Sequence, residues 1–286
     1  MTASLPQILD DHVARGTAPG IVGVQGMPDG RVEIVASGDL RADAIVRIQS
    51  MTKPILAVAA LRLVQEGRLR LDDPVERWLP ELAGRRVLRT PEAALDDVGS
   101  AMTPITLRHL LTLTSGYGVQ VVPTPLAEAM IANRTAAGQE PVAMGAQEWL
   151  EALAALPLAF EPGTGWRYHH SFGILGILLA RVVDGPLEAH LQRDLFYPLG
   201  MVDTGYTVPL DKGVGIRRRS ADRGGALRSL RLVGWAGNRL LDRSRRLVPH
   251  RAESSRDGPG GHGAVRRCAV KISVPPGHPE RRVPCG

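Results

Sequence analysis

Apolar residues recur at helical spacing near the start of the chain. Leu5, Ile8, Leu9 and Val13 follow Ser4, a good N-cap, and predict a short helix. Residues 20–26 and 31–36 read instead as two strands, joined through Asp29-Gly30, a dipeptide suited to a tight turn. After Ser50, the set Ile55, Leu56, Ala59, Leu63 and Val64 predicts a long helix with one buried side, followed by the loop signal Asp72-Asp73-Pro74. Further helical patterns lie near 106–112, 126–135, 146–156, 172–183 and 187–196, punctuated by Gly163-Thr164-Gly165 and Leu199-Gly200. Two strands followed by many helices, without βαβ alternation, predict an α+β protein. Two strands alone make a poor sheet, so more are expected downstream.

The patterning fades after about residue 212, and charge and composition change with it. The whole chain of 286 residues is 44% hydrophobic and 22% charged, enough for a real core, with a net charge of +6. That sum hides a division. Residues 1–210 carry 17 Lys+Arg against 23 Asp+Glu, whereas 211–286 carry 18 against 6. Sixteen of those 18 are arginines, Gly and Pro supply 18 of the 76 positions, and both cysteines, Cys268 and Cys285, fall here. The domain reading is therefore a globular part over 1–210 and an Arg/Gly/Pro-rich tail over 211–286. Three origins compete for the tail: a basic segment binding nucleic acid nonspecifically, a disordered linker, or a stretch read in a shifted frame of GC-rich coding DNA. The third fits the composition best, because a shift yields Arg, Gly, Pro, Ala and Ser without periodicity.

Other features set the surroundings. The densest apolar run, near 174–183, is broken by Gly176 and Arg181 and is too short for a bilayer. Met1-Thr2-Ala3-Ser4-Leu5-Pro6 lacks the basic start and apolar core of a signal peptide, so the expected compartment is cytoplasmic. Cys268, Cys285 and His262 lack zinc-site spacing. Asp72-Asp73 and Asp96-Asp97 read as loop and cap carboxylates, and no metal or organic cofactor is implied. Gly258–Gly263 fits G-x-G-x-x-G without the strand and helix that would give it meaning.

The candidate chemistry is Ser50-Met51-Thr52-Lys53. A serine and a lysine three apart share one face of a helix. The hydroxyl needs a nearby base to attack a carbonyl, and lysine is that base only as the neutral amine. Burial and the positive end of a helix both favour that form, and arginine could not replace it. Residues 1–210 contain 16 arginines and a single lysine, Lys53. The bland alternative, a capped helix with a surface lysine, is the weaker one.

Ser50-Met51-Thr52-Lys53-Pro54 resembles the Ser-x-x-Lys motif of the serine β-lactamase and penicillin-binding-protein superfamily. Residues 67–75, the stretch Ile105-Thr106-Leu107-Arg108-His109-Leu110-Leu111-Thr112-Leu113-Thr114-Ser115-Gly116, Glu161-Pro162-Gly163-Thr164 and residues 198–204 are similar to its class C-like branch, which includes esterases and D-aminopeptidases. The resemblance covers about residues 5–207. It implies a β-lactamase-like fold, an antiparallel sheet flanked by helices plus a helical subdomain, with the sheet incomplete here.

The resemblance also implies roles. Ser50 is the acylated nucleophile, Lys53 its general base and the Ser50 N–H one oxyanion donor. Tyr168-His169-His170 stands where the family has Tyr-x-Asn, making Tyr168 the proton relay. His170 replaces the asparagine at a substrate-binding position, which favours esters over β-lactams or D-amino-acid amides. His169 reads best as an ordinary polar residue at a helix start. Tyr117 reads equally well as pocket lining or as a loop aromatic. The family's third motif, Lys-Thr-Gly or a His-Thr-Gly or Trp-x-Gly variant, is imitated only by Gly234-Trp235-Ala236-Gly237 and Gly261-His262-Gly263. The competing function is a catalytically inactive fragment whose basic tail holds nucleic acid nonspecifically. Translation of the coding DNA past codon 210 in all frames separates the origins of the tail. A neighbouring frame should continue with alternating apolar strands and a third motif; no such frame would leave the shift without support.

Overall fold

The structure is a computed structural model that describes residues 3–138, 142 and 144–206, together with the backbone of the pair 270–271. The described residues fall into two compact units, one holding 3–48, 192–206 and the 270–271 pair, the other holding 49–191.

In the first unit, α1 (Leu5–Ala14) begins as predicted, with the Ser4 N–H donating to Gln7 Oε1 at 2.9 Å. Strands β1 (Gly20–Gly26) and β2 (Val32–Gly38) form an antiparallel hairpin in the register Gly20↔Gly38 to Gly26↔Val32. Asp29 Oδ1 accepts the Arg31 N–H at 3.0 Å, and Gly30 takes the positive φ of 84° that the turn demands. Helix α1 lies on this hairpin at Gly23, where an added Cβ would stand 3.0 Å from Leu9 Cδ1. The short strand β3 (Ile45–Val46) pairs antiparallel with β6 (Val270–Lys271), so one described piece of the second part supplies a strand. The described strands make three two-stranded sheets and no larger one, in keeping with an incomplete sheet.

The second unit is mainly helical. The helix predicted after Ser50 is α2 (Thr52–Gln65), entered through a 3-10 turn, Gln49–Met51. It buries Leu56, Ala59, Ala60 and Leu63. Helices α3 (Leu107–Leu111), α4 (Pro125–Ala132), α5 (Ala146–Ala154), α6 (His170–Val182) and α7 (Leu187–Leu191) match the remaining patterns to within a few residues. The last pattern ends early because Gln192–Phe196 widens into a π-helical turn. Two short strands, β4 (Arg86–Leu88) and β5 (Val98–Ser100), were not foreseen, since three residues are too few to show alternation.

Helix α6 is the axis of this unit. Residues 170–179 are buried without interruption, as an almost wholly apolar helix requires. Gly173 permits Trp149 of α5 to approach closely, an added Cβ standing 3.0 Å from Trp149 Cη2. At the far end of α6, Arg181 donates to Glu81 through both terminal nitrogens, at 3.0 and 2.7 Å, and also to Gln147 Oε1 and the Trp78 carbonyl. Burial alone would raise the Glu81 carboxyl, but the hydrogen bond from Arg181 leads the opposing contributions and holds it at about 2.

No described helix is long and apolar enough to cross a membrane. Since the folded Glu81 carboxyl lies below its unfolded value, its contribution is complete above about pH 4.5 and is lost as pH falls towards 2. Glu81→Gln should therefore cost about 2 kcal/mol at pH 7, less than a fully buried pair because both partners are partly exposed. Thermal melts at pH 7 and at pH 2.5 check this: the gap to the parent should shrink at the lower pH, and an unchanged gap contradicts it.

Candidate active site

Ser50 lies exposed in the 3-10 turn, and Lys53 points back along α2 from a buried position. Lys53 Nζ donates to Ser50 Oγ at 3.1 Å. The same Nζ lies 4.5 Å from the centroid of the Tyr168 ring. Lys53, three positions on, and Tyr168, more than a hundred positions away, thus converge on the Ser50 hydroxyl. The Tyr168 phenol is held below the usual tyrosine range, first by its hydrogen bond with Ser50; burial opposes this, and Lys53 adds to the lowering. The Ser50 N–H stands in the first turn, where a helix leaves its N–H groups without internal partners.

The segment carrying Tyr168 is fixed by its backbone. Its carbonyl accepts the Val119 N–H at 2.9 Å, and the Arg167 N–H donates to the Leu113 carbonyl at 3.0 Å. The Arg167 side chain reaches the Val119 carbonyl and Gln120. Gly118 makes this closeness possible, because a Cβ there would stand 2.1 Å from Arg167 Cβ. Ser115 ties the same loop to α6 through a buried 2.8 Å contact between its Oγ and that of Ser171, and accepts the Tyr117 N–H at 3.3 Å. The stretch Thr114-Ser115-Gly116-Tyr117-Gly118 therefore acts as the brace of Tyr168. Gly118 was missed in the sequence because nothing local distinguishes it.

The other expected site residues lie deeper. His170 is 1% exposed, stacked on Trp149 at 6.1 Å and 11°. Its Nε2 contacts the Thr135 carbonyl at 2.9 Å and so must carry the proton, while buried Nδ1 has no hydrogen-bond partner among the described residues. Burial pushes this imidazole down to about 4, despite the bond to Thr135. Tyr117 is 2% exposed, and burial pushes its phenol up against the opposing effect of Arg85. His169 is pushed down to about 3, first by burial and then by His170 and Lys53. Both histidines are neutral at pH 7.

Asp72 pairs with Arg108 at 2.8 Å, Asp73 accepts the Arg70 N–H at 2.8 Å, and Asp97 pairs with Arg89 at 3.0 Å, so three of the four flagged aspartates serve loops. Among the described residues no three His, Cys, Asp or Glu gather as metal ligands. The imitations of a third motif at 234–237 and 261–263, the G-x-G-x-x-G match, and Cys268, Cys285 and His262 lie outside the described residues.

A sequence model of the Beta-lactamase family matches residues 5–269. The chain belongs to that family. This is a family of serine hydrolases, as the resemblance implied. Protein Rv1367c of Mycobacterium tuberculosis (strain ATCC 25618 / H37Rv) is 40% identical over 181 residues, 63% of this chain and 43% of its own length. Esterase EstB of Burkholderia gladioli is 37% identical over 173 residues, 60% of this chain and 41% of the esterase. The solved structure of EstCE1, a hydrolase with promiscuous acyltransferase activity, superimposes with a TM-score of 0.60 at 26% identity, over 73% of this chain and 53% of that one. The β-lactamase-like α+β fold is thereby established. The matched region spans less than half the length of these two curated relatives.

Ultraviolet titration of tyrosinate, taken as the difference between the parent and Tyr168→Phe, should show Tyr168 ionising below the usual value near 10. Ser50→Ala should move it upward, because the bond to Ser50 is the largest cause. An unmoved Tyr168 in Ser50→Ala would show that the two do not interact.

Proposed function

We propose that this chain is a serine hydrolase acting on esters through an acyl-enzyme. Ser50 Oγ bonds to the ester carbonyl carbon and passes its proton to the Lys53 amine. The carbonyl electron pair moves onto oxygen, facing the Ser50 N–H. Collapse of that intermediate breaks the bond to the alkoxy group, which leaves as the alcohol after receiving a proton through Tyr168. Water then repeats the sequence, releasing the acid and restoring Ser50. The observation that carries this reading is the 3.1 Å contact between Ser50 Oγ and the Nζ of a buried Lys53. Trp166, 62% exposed and stacked on Tyr168 at 6.3 Å, offers an apolar surface suited to an ester more than to a charged peptide. Tyr117 and His170, both buried, are assigned to the wall that supports the substrate side. β-Lactams and D-amino-acid amides are the runner-up substrates.

A second reading, a fragment of such a hydrolase without turnover, is favoured by the short span relative to the relatives. The proposed division sets the hydrolase domain at 1–210 and the arginine-rich part at 211–286. The family match that continues to residue 269, and the pairing of β6 with β3, give this second part some family character. Nonspecific nucleic-acid binding by the tail has only its charge behind it.

Hydrolysis of p-nitrophenyl butyrate separates the readings. The hydrolase reading expects turnover that falls to background in Ser50→Ala and by at least about a hundredfold in Lys53→Arg. Parent turnover equal to that of Ser50→Ala would leave the fragment reading standing.

A further inference from the structure

His169 joins Tyr168 to helix α6 with φ 98° and ψ −72°. For a residue with a Cβ this is a rare and strained conformation, close to the γ-turn of positive φ. Such strain persists only where the surroundings fix it, and it gathers at functional sites. The surroundings here are specific. On the upstream side, the Tyr168 carbonyl and the Arg167 N–H are both tied to the 113–119 loop. On the downstream side, α6 is locked by its buried face, with His170 stacked on Trp149. The sharp change of direction between the two falls on residue 169. Its ring fills the corner, packed edge-on to Tyr168 at 6.2 Å and to His170 at 5.3 Å.

We infer that His169 is a positioning residue for the proposed reaction: its strained backbone and wedged ring hold the Tyr168 phenol at Ser50 and Lys53. The inference rests on the reading of Tyr168 as the proton relay. With a Cβ at position 169, little of the positive-φ region is accessible, so the link between Tyr168 and α6 has one orientation. Glycine would open that region and let the phenol swing. Misplacement of a reacting group by about 1 Å can cost on the order of a hundredfold in rate, so even partial loosening is measurable. A neutral imidazole in the corner also adds no cation beside the amine of the proposed base.

The test is a double-mutant cycle on the rate of acylation by ethyl butyrate, whose alkoxide leaving group needs the proton that Tyr168 relays. His169→Gly should slow acylation about tenfold or more in the parent, yet less than twofold in Tyr168→Phe, because there is no phenol left to place. His169→Asn, planar and tolerant of positive φ, should remain within about threefold of the parent. Arg134→Gly, at another residue of positive φ (62°), should leave the rate unchanged. Melting temperatures confirm that each variant is folded; if His169→Gly is not, His169→Ala, which loses only the ring, takes its place in the cycle. Equal slowing in both backgrounds, or none in either, overturns the inference while leaving the hydrolase reading intact. A parent with no Ser50-dependent turnover removes that reading, and the positioning role with it.

Discussion

Everything proposed for this chain depends on a lysine amine kept out of water beside a serine hydroxyl. Lys53 is only 6% exposed, and burying a nitrogen of this kind is costly unless its surroundings compensate. The compensation is local: Ser50 Oγ at 3.1 Å and the face of Tyr168 at 4.5 Å. The groups that make the burial tolerable are also those that chemistry at Ser50 would use. The rest of the second unit can be understood as what keeps them there. The brace from Ser115 to Gly118 fixes the Tyr168 segment, and the buried face of α6 fixes the brace.

Stability and reactivity are divided along α6. Its far end carries the Arg181–Glu81–Gln147 network, which ties α6 and α5 to the 3-10 turn Pro80–Leu82. Its near end carries His169 at a strained φ, which costs stability, and two histidines held neutral, which cost it only when acid forces them to protonate. A folded imidazole value below the unfolded one means that protonation favours unfolding, so the near end weakens as pH falls from about 6.5 towards 4. The far end keeps its ion pair throughout that range. A helix anchored at one end can carry strain at the other.

Much of this was legible in the sequence. The spacing of apolar residues located α1, the β1–β2 hairpin and the helices from α2 to α7, because each buries one face or a continuous stripe. The lone lysine among arginines located Lys53. Strands β4 and β5 were invisible, since alternation over three residues carries no signal. The burial of His170 was invisible for another reason: it is set by Trp149 and Thr135, which approach only in the folded chain. Gly118 and His169 depend on close backbone approach and on a dihedral angle, neither of which a single sequence displays. Further strands were expected downstream because two make a poor sheet, and among the described residues Val270–Lys271, paired with β3, supply one late in the chain.

The most direct test of the central claim is covalent. A fluorophosphonate probe, mapped by peptide mass spectrometry on the full chain, should add once, at Ser50. Lys53→Arg, which keeps a long basic side chain but cannot accept a proton, should abolish the adduct. A modification at another serine, or one at Ser50 that survives unchanged in Lys53→Arg, would contradict the assignment of Lys53 as the base that activates this hydroxyl.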